Sequence, residues 1–220
     1  MEAMMAFNNL LTHRFNKMAD QRNQTFSDLR VAPVRNLHNA PEGAWSSLDI
    51  LQHLFLSESG ILKLLQKQVL KPASDFHTVK FKNKYRSLAL NLSLLSTFRY
   101  KAPAVVTHFE SKMELSELQK EWEHFENSMR ALIENFPESH KNKVIFRHPR
   151  AGWITMKATL DFMRFHQLHH IRQIKDRAGY ETAWVKWASG KIEFSFFKAA
   201  GSNVHSRKKI VTILNGSTDK

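Results

Sequence analysis

The chain has 220 residues, no cysteine, 42% hydrophobic residues and a formal charge of +13. That size and apolar content fit one domain with a sizeable core, and the lack of cysteine excludes disulfides and thiolate metal ligands, leaving His, Asp and Glu. The positive charge admits a polyanionic partner, but Lys and Arg are spread along the chain, with only Arg207-Lys208-Lys209 as a tight run.

The first predicted helix covers residues 6–22, with Phe7, Leu10, Leu11, Phe15 and Met18 on one stripe. Pro33 and Pro41-Glu42-Gly43 then mark a loop. A second helix starts after Ser46 or Ser47, where Ser46-x-x-Asp49 resembles a capping box, and runs to about Lys71 before Pro72 stops it. Residues 73–113 form a long connection with a short leucine-rich helix at 85–98. A third long helix is expected over 116–136, ended by Pro137. Residues 138–152 read as a loop carrying His140 and His148. The last long helix covers 153–177, with Gly179 as its natural stop.

Past Gly179 the character changes. Trp184, Trp187, Ile192, Phe194, Phe196 and Phe197 sit among Gly190, Gly201 and polar residues, and 191–198 partly alternates, as a short strand or hairpin would. The division expected is a bundle over 1–178 and an extension over 179–220 that is partly β or irregular, with a disordered end at 215–220.

Four long helices imply an all-α four-helix bundle. The long connection can cross the whole bundle, so the second and third long helices can run parallel, giving up-down-down-up. Three histidines bear on this topology. His166 and His170 are four apart and project from one helix face, and His53 lies in the second long helix. With 12 histidines in the chain, spacing alone leaves a solvated histidine-rich face open. In up-down-down-up, however, His53 stands about 12 Å from the start of its helix and His166 and His170 about 13 Å from the end of theirs, at the same end of the bundle. Three imidazoles at one level can hold a divalent metal and leave a position open for water or substrate.

On a wheel of the last helix, Thr155, Thr159, His166, His170 and Gln173 form a polar seam. An apolar arc lies on each side of it. Trp153, Met156, Leu160, Met163, Ile171 and Ile174 form one, and Ile154, Ala158, Phe162, Phe165 and Leu168 the other. His169 points toward the second arc and is not expected to be a ligand. That arc needs a cover from the bundle itself, from the aromatic extension or from a second subunit, and a homodimer is expected to contribute.

Three segments carry a family resemblance: residues 45–58 (WSSLDILQHLFLSE), 148–153 (HPRAGW) and 159–174 (TLDFMRFHQLHHIRQI). They resemble the DinB-like superfamily, which includes the YfiT-type metal-dependent proteins. The resemblance covers about residues 6–177. It implies an up-down-down-up bundle in which His53, His166 and His170 bind the metal, and relatives that act as thiol S-transferases or isomerases using low-molecular-weight thiols.

The expected protein is therefore a divalent-metal-binding enzyme of thiol S-transferase or hydrolase type. It would carry zinc or nickel, use a low-molecular-weight thiol as co-substrate and act on a small molecule. Catalytic residues beyond the metal site are not identifiable. Gln173, Thr159 and Glu58 are candidates for positions around the metal, with ordinary helix-surface roles equally open. Asp49 is a candidate to orient His53 or to cap its helix. His140 and His148 are read as solvated or structural. A non-catalytic metal-binding stress-response protein is the alternative. A nucleic-acid-binding module is a weaker one, because zinc-finger spacing, an RNP motif and a basic zipper are all missing. No apolar run reaches membrane-span length, and residues 1–16 lack the pattern of a signal peptide. The expectation is a cytoplasmic protein with no membrane partner.

Overall fold

The computed structural model describes residues 2–95, 111–178, 185–188 and 191–194. Helix α1 spans Glu2–Val31 and continues well past the predicted end at residue 22. Phe7, Leu11, Phe15, Met18, Phe26 and Leu29 form one buried stripe, and Arg22 occupies the slot between Met18 and Phe26. A charged residue in an apolar slot, followed by the polar Asn23-Gln24-Thr25, makes the periodicity read as ending there. Glu58 and Glu126 neutralise that charge, so the stripe continues through it.

After Pro33 comes the short α2, Val34–His38, which buries Leu37. The side-chain amide of Asn36 donates to the carbonyl of Ala178 at 3.1 Å, closing the end of the last helix. Helix α3 spans Ser47–Val69. The Ser46 hydroxyl accepts from the Asp49 N–H at 3.1 Å, and the Asp49 carboxylate accepts from the Ser46 N–H at 3.0 Å. This reciprocal cap satisfies two of the donors that a helix start leaves orphaned. Burial alone would raise the Asp49 pKa, but the Ser46 bonds and Lys112 outweigh it and hold the carboxyl below its ordinary value. Asp49 is thus a cap.

The long connection carries a 3-10 turn at Ala73–Asp75 and then α4, Phe81–Leu95, one turn earlier than predicted. Residues 96–98 of the predicted helix lie outside the described residues. Helix α5 spans Leu115–Glu134 and α6 spans Met156–Arg177.

The expected loop over 138–152 needs correction. It holds a 3-10 turn, Glu138–His140, and most of a hairpin of β1, Val144–His148, and β2, Gly152–Thr155. The register sets Phe146 against Ile154, Arg147 against Trp153 and His148 against Gly152. β-Branched and aromatic residues on both strands suit the pleat. Gly152 has φ +72°, a conformation that L side chains rarely adopt, and this lets the chain reverse. The backbone at 77–79 adds to the hairpin edge, with the Val79 N–H donating to Asn142 and the Val144 N–H to His77. Trp153 and Ile154 also fit the periodicity of α6, which is why the helix reads as starting at 153. Its actual N-cap is Thr155, whose hydroxyl accepts from the Ala158 N–H at 3.2 Å.

Side-chain contacts give the helix directions. Along α1 and α5, Asn8 bonds to Glu134, Arg22 to Glu126 and Arg30 to Gln119, so the two are antiparallel. Arg14 pairs with Asp161 and Asp28 with Lys175, so α1 and α6 are parallel. Ser47 bonds to the carbonyl of Ile174 and His53 meets His166, so α3 and α6 are antiparallel. Gln52 bonds at Ser111 and Met113, and Glu58 at Trp122, so α3 and α5 are parallel. The bundle is up-down-down-up.

The first apolar arc of α6 packs into the core, where Met156, Leu160, Met163 and Ile174 are buried. The second arc is covered by α4, which runs parallel to α6. Asn83 bonds to the Trp153 carbonyl, His169 to that of Leu94 and Arg172 to that of Leu95. Phe162 is buried on this side, and Phe165 and Leu168 are half-buried. Periodicity along α6 shows that this arc needs a cover but does not select the crossover helix to supply it. Within the extension, β3, Val185–Ala188, pairs antiparallel with β4, Lys191–Phe194. The predicted tail at 215–220 lies outside the described residues.

Candidate metal centre

The capping box fixes where α3 starts, and His53 follows about two turns later, 2% exposed. Helix α6 presents His166 and His170 one turn apart, both half-buried. The topology brings all three together. One ring nitrogen from each lies within 4.8 Å of the other two. The ring centroids are 5.5 Å apart for His53 and His166, 4.9 Å for His53 and His170, and 4.6 Å for His166 and His170. The rings stand at 73° to 83° to one another.

The donor set fits a divalent ion. His166 Nε2 and His170 Nε2 are 3.1 Å apart. Two nitrogens bound at 2.0–2.1 Å to one tetrahedral ion lie about 3.3 Å apart. His170 Nδ1 lies 2.8 Å from the Gln173 side-chain oxygen. That oxygen can only accept, so Nδ1 carries the proton and the Nε2 lone pair points into the cluster. Gln173 thus orients a candidate ligand.

Electrostatics favour the neutral imidazoles that a metal needs. Burial, and then His170, His53 and other nearby histidines, hold the His166 pKa well below its ordinary value. Burial and His53 push His170 down to about 3, against the opposing Gln173 bond. Two aromatic rings flank the triad. Phe162 stacks on His166 with centroids 5.4 Å apart and planes at 18°, and Trp45 packs 5.1 Å from His53. Both residues stand in the segments quoted above, but neither the wheel nor the motif singled them out as walls of the site.

The other candidates fall elsewhere. His169 bonds to the Leu94 carbonyl at 3.0 Å and stays out of the triad. Thr159 donates to the carbonyl of Thr155, the N-cap of its own helix. Glu58 faces Arg22 and Trp122 between α1, α3 and α5. His140 is buried and structural, with Nε2 3.1 Å from the Lys71 carbonyl. A cleft of about 190 Å³ between α1 and α5, lined by Arg22, Phe26, Trp122 and Glu126, lies on the opposite seam of the bundle from the triad.

His148 is also structural. Its Nδ1 accepts from the N–H groups of Arg150 and Ala151, both at 3.2 Å, and so shapes the hairpin turn. Its ring packs against Phe162 at 4.4 Å. Burial, and then Arg150, push its pKa from 6.5 down to about 4. Below pH 6.5 the unfolded chain binds a proton here that the folded chain does not. The stability contribution is therefore full above 6.5 and is lost as pH falls toward 4, on the order of 2–3 kcal/mol. His148→Asn keeps an acceptor near Nδ1 but does not titrate. Urea midpoints in chelator should therefore fall less between pH 7.5 and pH 5 for the variant than for the parent. Equal falls would remove His148 from the acid sensitivity.

A comparison with protein-family models matches residues 14–174 to the DinB superfamily. No curated protein and no solved structure matches the chain.

Proposed function

Because the chain belongs to the DinB superfamily, we propose that His53, His166 and His170 hold one divalent metal ion, zinc or nickel, in an enzyme of thiol S-transferase or hydrolase type. The observation that carries the reading is the convergence of three ring nitrogens from α3 and α6. When bound, the cation acts as a Lewis acid and lowers the pKa of a water or of a low-molecular-weight thiol co-substrate.

The protein's own groups have separate tasks. Among the described residues the cluster has three members and none is a carboxylate. A neutral three-imidazole set would leave the full charge of a bound ion uncompensated and would leave it open to an exogenous ligand. Gln173 holds the His170 proton on Nδ1. Phe162 and Trp45 pack on the rings of His166 and His53 and lower the local polarity.

Elemental analysis of purified protein tests the metal, and thiol-transfer and hydrolysis assays before and after chelation test the chemistry. About one zinc or nickel per chain, with turnover that chelation removes and metal restores, is the expected result. Metal without turnover would favour a non-catalytic metal-binding role. Gln173→Ala should weaken metal binding about 10- to 100-fold, the usual cost of losing a partner that orients a ligand. Competition with a chromogenic chelator measures it, and unchanged affinity would assign Gln173 to the helix surface alone.

A further inference from the structure

Residues 76–95 and 139–160 contain no Asp or Glu, yet carry four and five Lys or Arg respectively. With 20 acidic residues in the chain, even mixing would put about four acids in these stretches. The fold joins them. The backbone at 77–79 bonds to the edge of β1, Asn83 bonds to the Trp153 carbonyl, and the Arg86 guanidinium lies beside Gly152. The two acid-free, cation-bearing stretches are therefore neighbours in space.

Helix α4 is apolar on two sides of this region. One side seats Leu90 and Leu94 against α6. The opposite side lines up Phe81, Tyr85, Leu88 and Leu92 at steps of four and three, exposed by 84%, 65%, 57% and 58%. These side chains present roughly 500 Å² of largely apolar surface, comparable to the largest apolar patch on a typical monomer, which is often functional. By helical geometry Lys80 and Lys84 border the stripe on one side, and Lys82 and Arg86 on the other. On the adjoining hairpin, Trp153 is exposed and stands opposite the exposed Arg147, so both project from the same face.

The partner must accept cations and aliphatic side chains together. Nucleic-acid phosphates would engage the cations, but single-strand binders stack bases on aromatic rings, and Leu88 and Leu92 would gain nothing. A second copy would bring one strongly basic face against another. An anionic lipid surface meets both demands, with headgroups facing the basic borders and the acyl boundary taking the phenyl and leucyl groups. We propose that the outward face of α4, with the adjoining hairpin, docks the protein onto an anionic phospholipid surface. Among the described residues no helix is long and apolar enough to cross a membrane, so α4 would lie in the interface plane. The proposal replaces the expectation of no membrane partner drawn from the sequence.

The test is sedimentation of the full chain with vesicles at roughly 0.15 M salt. One set is pure phosphatidylcholine, and the other contains about 30% phosphatidylserine as the source of negative surface potential. Binding is expected only to the second set. Lys82→Glu/Lys84→Glu should weaken it at least about 25-fold, at about fivefold per cation removed. Leu88→Ser/Leu92→Ser should weaken it at least about tenfold through lost apolar burial. All four positions are exposed, and circular dichroism confirms the fold. No binding to the phosphatidylserine vesicles would overturn the proposal, as would equal binding to both sets. If the serine variant binds like the parent and DNA competes with the vesicles, the face is a general polyanion site and the lipid assignment fails. If the parent is a dimer that the serine variant dissociates, the stripe is a self-association surface and the proposal also fails. Neither variant touches the histidine triad, so metal content remains a separate readout.

Discussion

Purified His166→Ala and His170→Ala proteins are expected to lose their divalent metal, while His169→Ala keeps it. His166 and His170 each supply one of the three converging ring nitrogens, and His169, their immediate neighbour, bonds instead to the Leu94 carbonyl. Losing a partner that only orients a ligand typically weakens metal binding 10- to 100-fold, so losing a ligand should exceed about 100-fold. The ion should also stabilise the fold that binds it, by about 2.7 kcal/mol when free metal is 100 times its Kd. Chelation should therefore lower the thermal midpoint of the parent and of His169→Ala, and leave His166→Ala and His170→Ala unmoved. Elemental analysis and thermal melts with and without chelator measure both effects. Equal metal in all three variants would rule out the triad as the site. His53→Ala is a less clean test, because its ring is buried and its loss opens a cavity.

The second large effect is expected at Arg22→Met. Arg22 and Glu58 are 1% and 0% exposed and pair at 3.2 Å. Arg22 Nε also bonds to Glu126 at 3.1 Å, and the guanidinium lies 5.5 Å from the Trp122 ring centre. Burial already pushes the Glu58 pKa up to about 7, against the opposing pull of Arg22 and the Trp122 bond. Without the guanidinium, Glu58 must either stay charged in the core or take up a proton. Breaking a buried pair in this way costs about 3–5 kcal/mol. A Glu58 pKa raised further penalises the folded variant most at pH values above it, so the stability difference from the parent should be larger at pH 8 than at pH 5.5. Arg22→Met/Glu58→Leu removes both charges and should recover much of the loss. Urea titrations of the parent and both variants measure this. A loss below about 1 kcal/mol for Arg22→Met would show that solvent screens the pair as it would on the surface.

The main helices, the N-cap at Ser46 and Asp49, the order of the bundle and the convergence of His53, His166 and His170 are legible in the sequence alone. Each of these rests on local information: periodicity along one helix, a cap within one turn, or the length of one connection. The place of His169 was legible for the same reason, since one residue along a helix rotates a side chain by about 100°. The remaining features depend on partners distant in sequence. Arg22 reads as the end of an apolar stripe until Glu58 and Glu126 from two other helices neutralise it. Trp153 and Ile154 satisfy both helix and strand periods, and pairing with Arg147 and Phe146 settles them as strand. The second arc of α6 demanded a cover, but no local rule selects a crossover helix to supply it. The basic face is the same kind of case. Its cations lie in two stretches of chain that only the fold brings together, and electrostatic potential sums over distance in space rather than along the sequence.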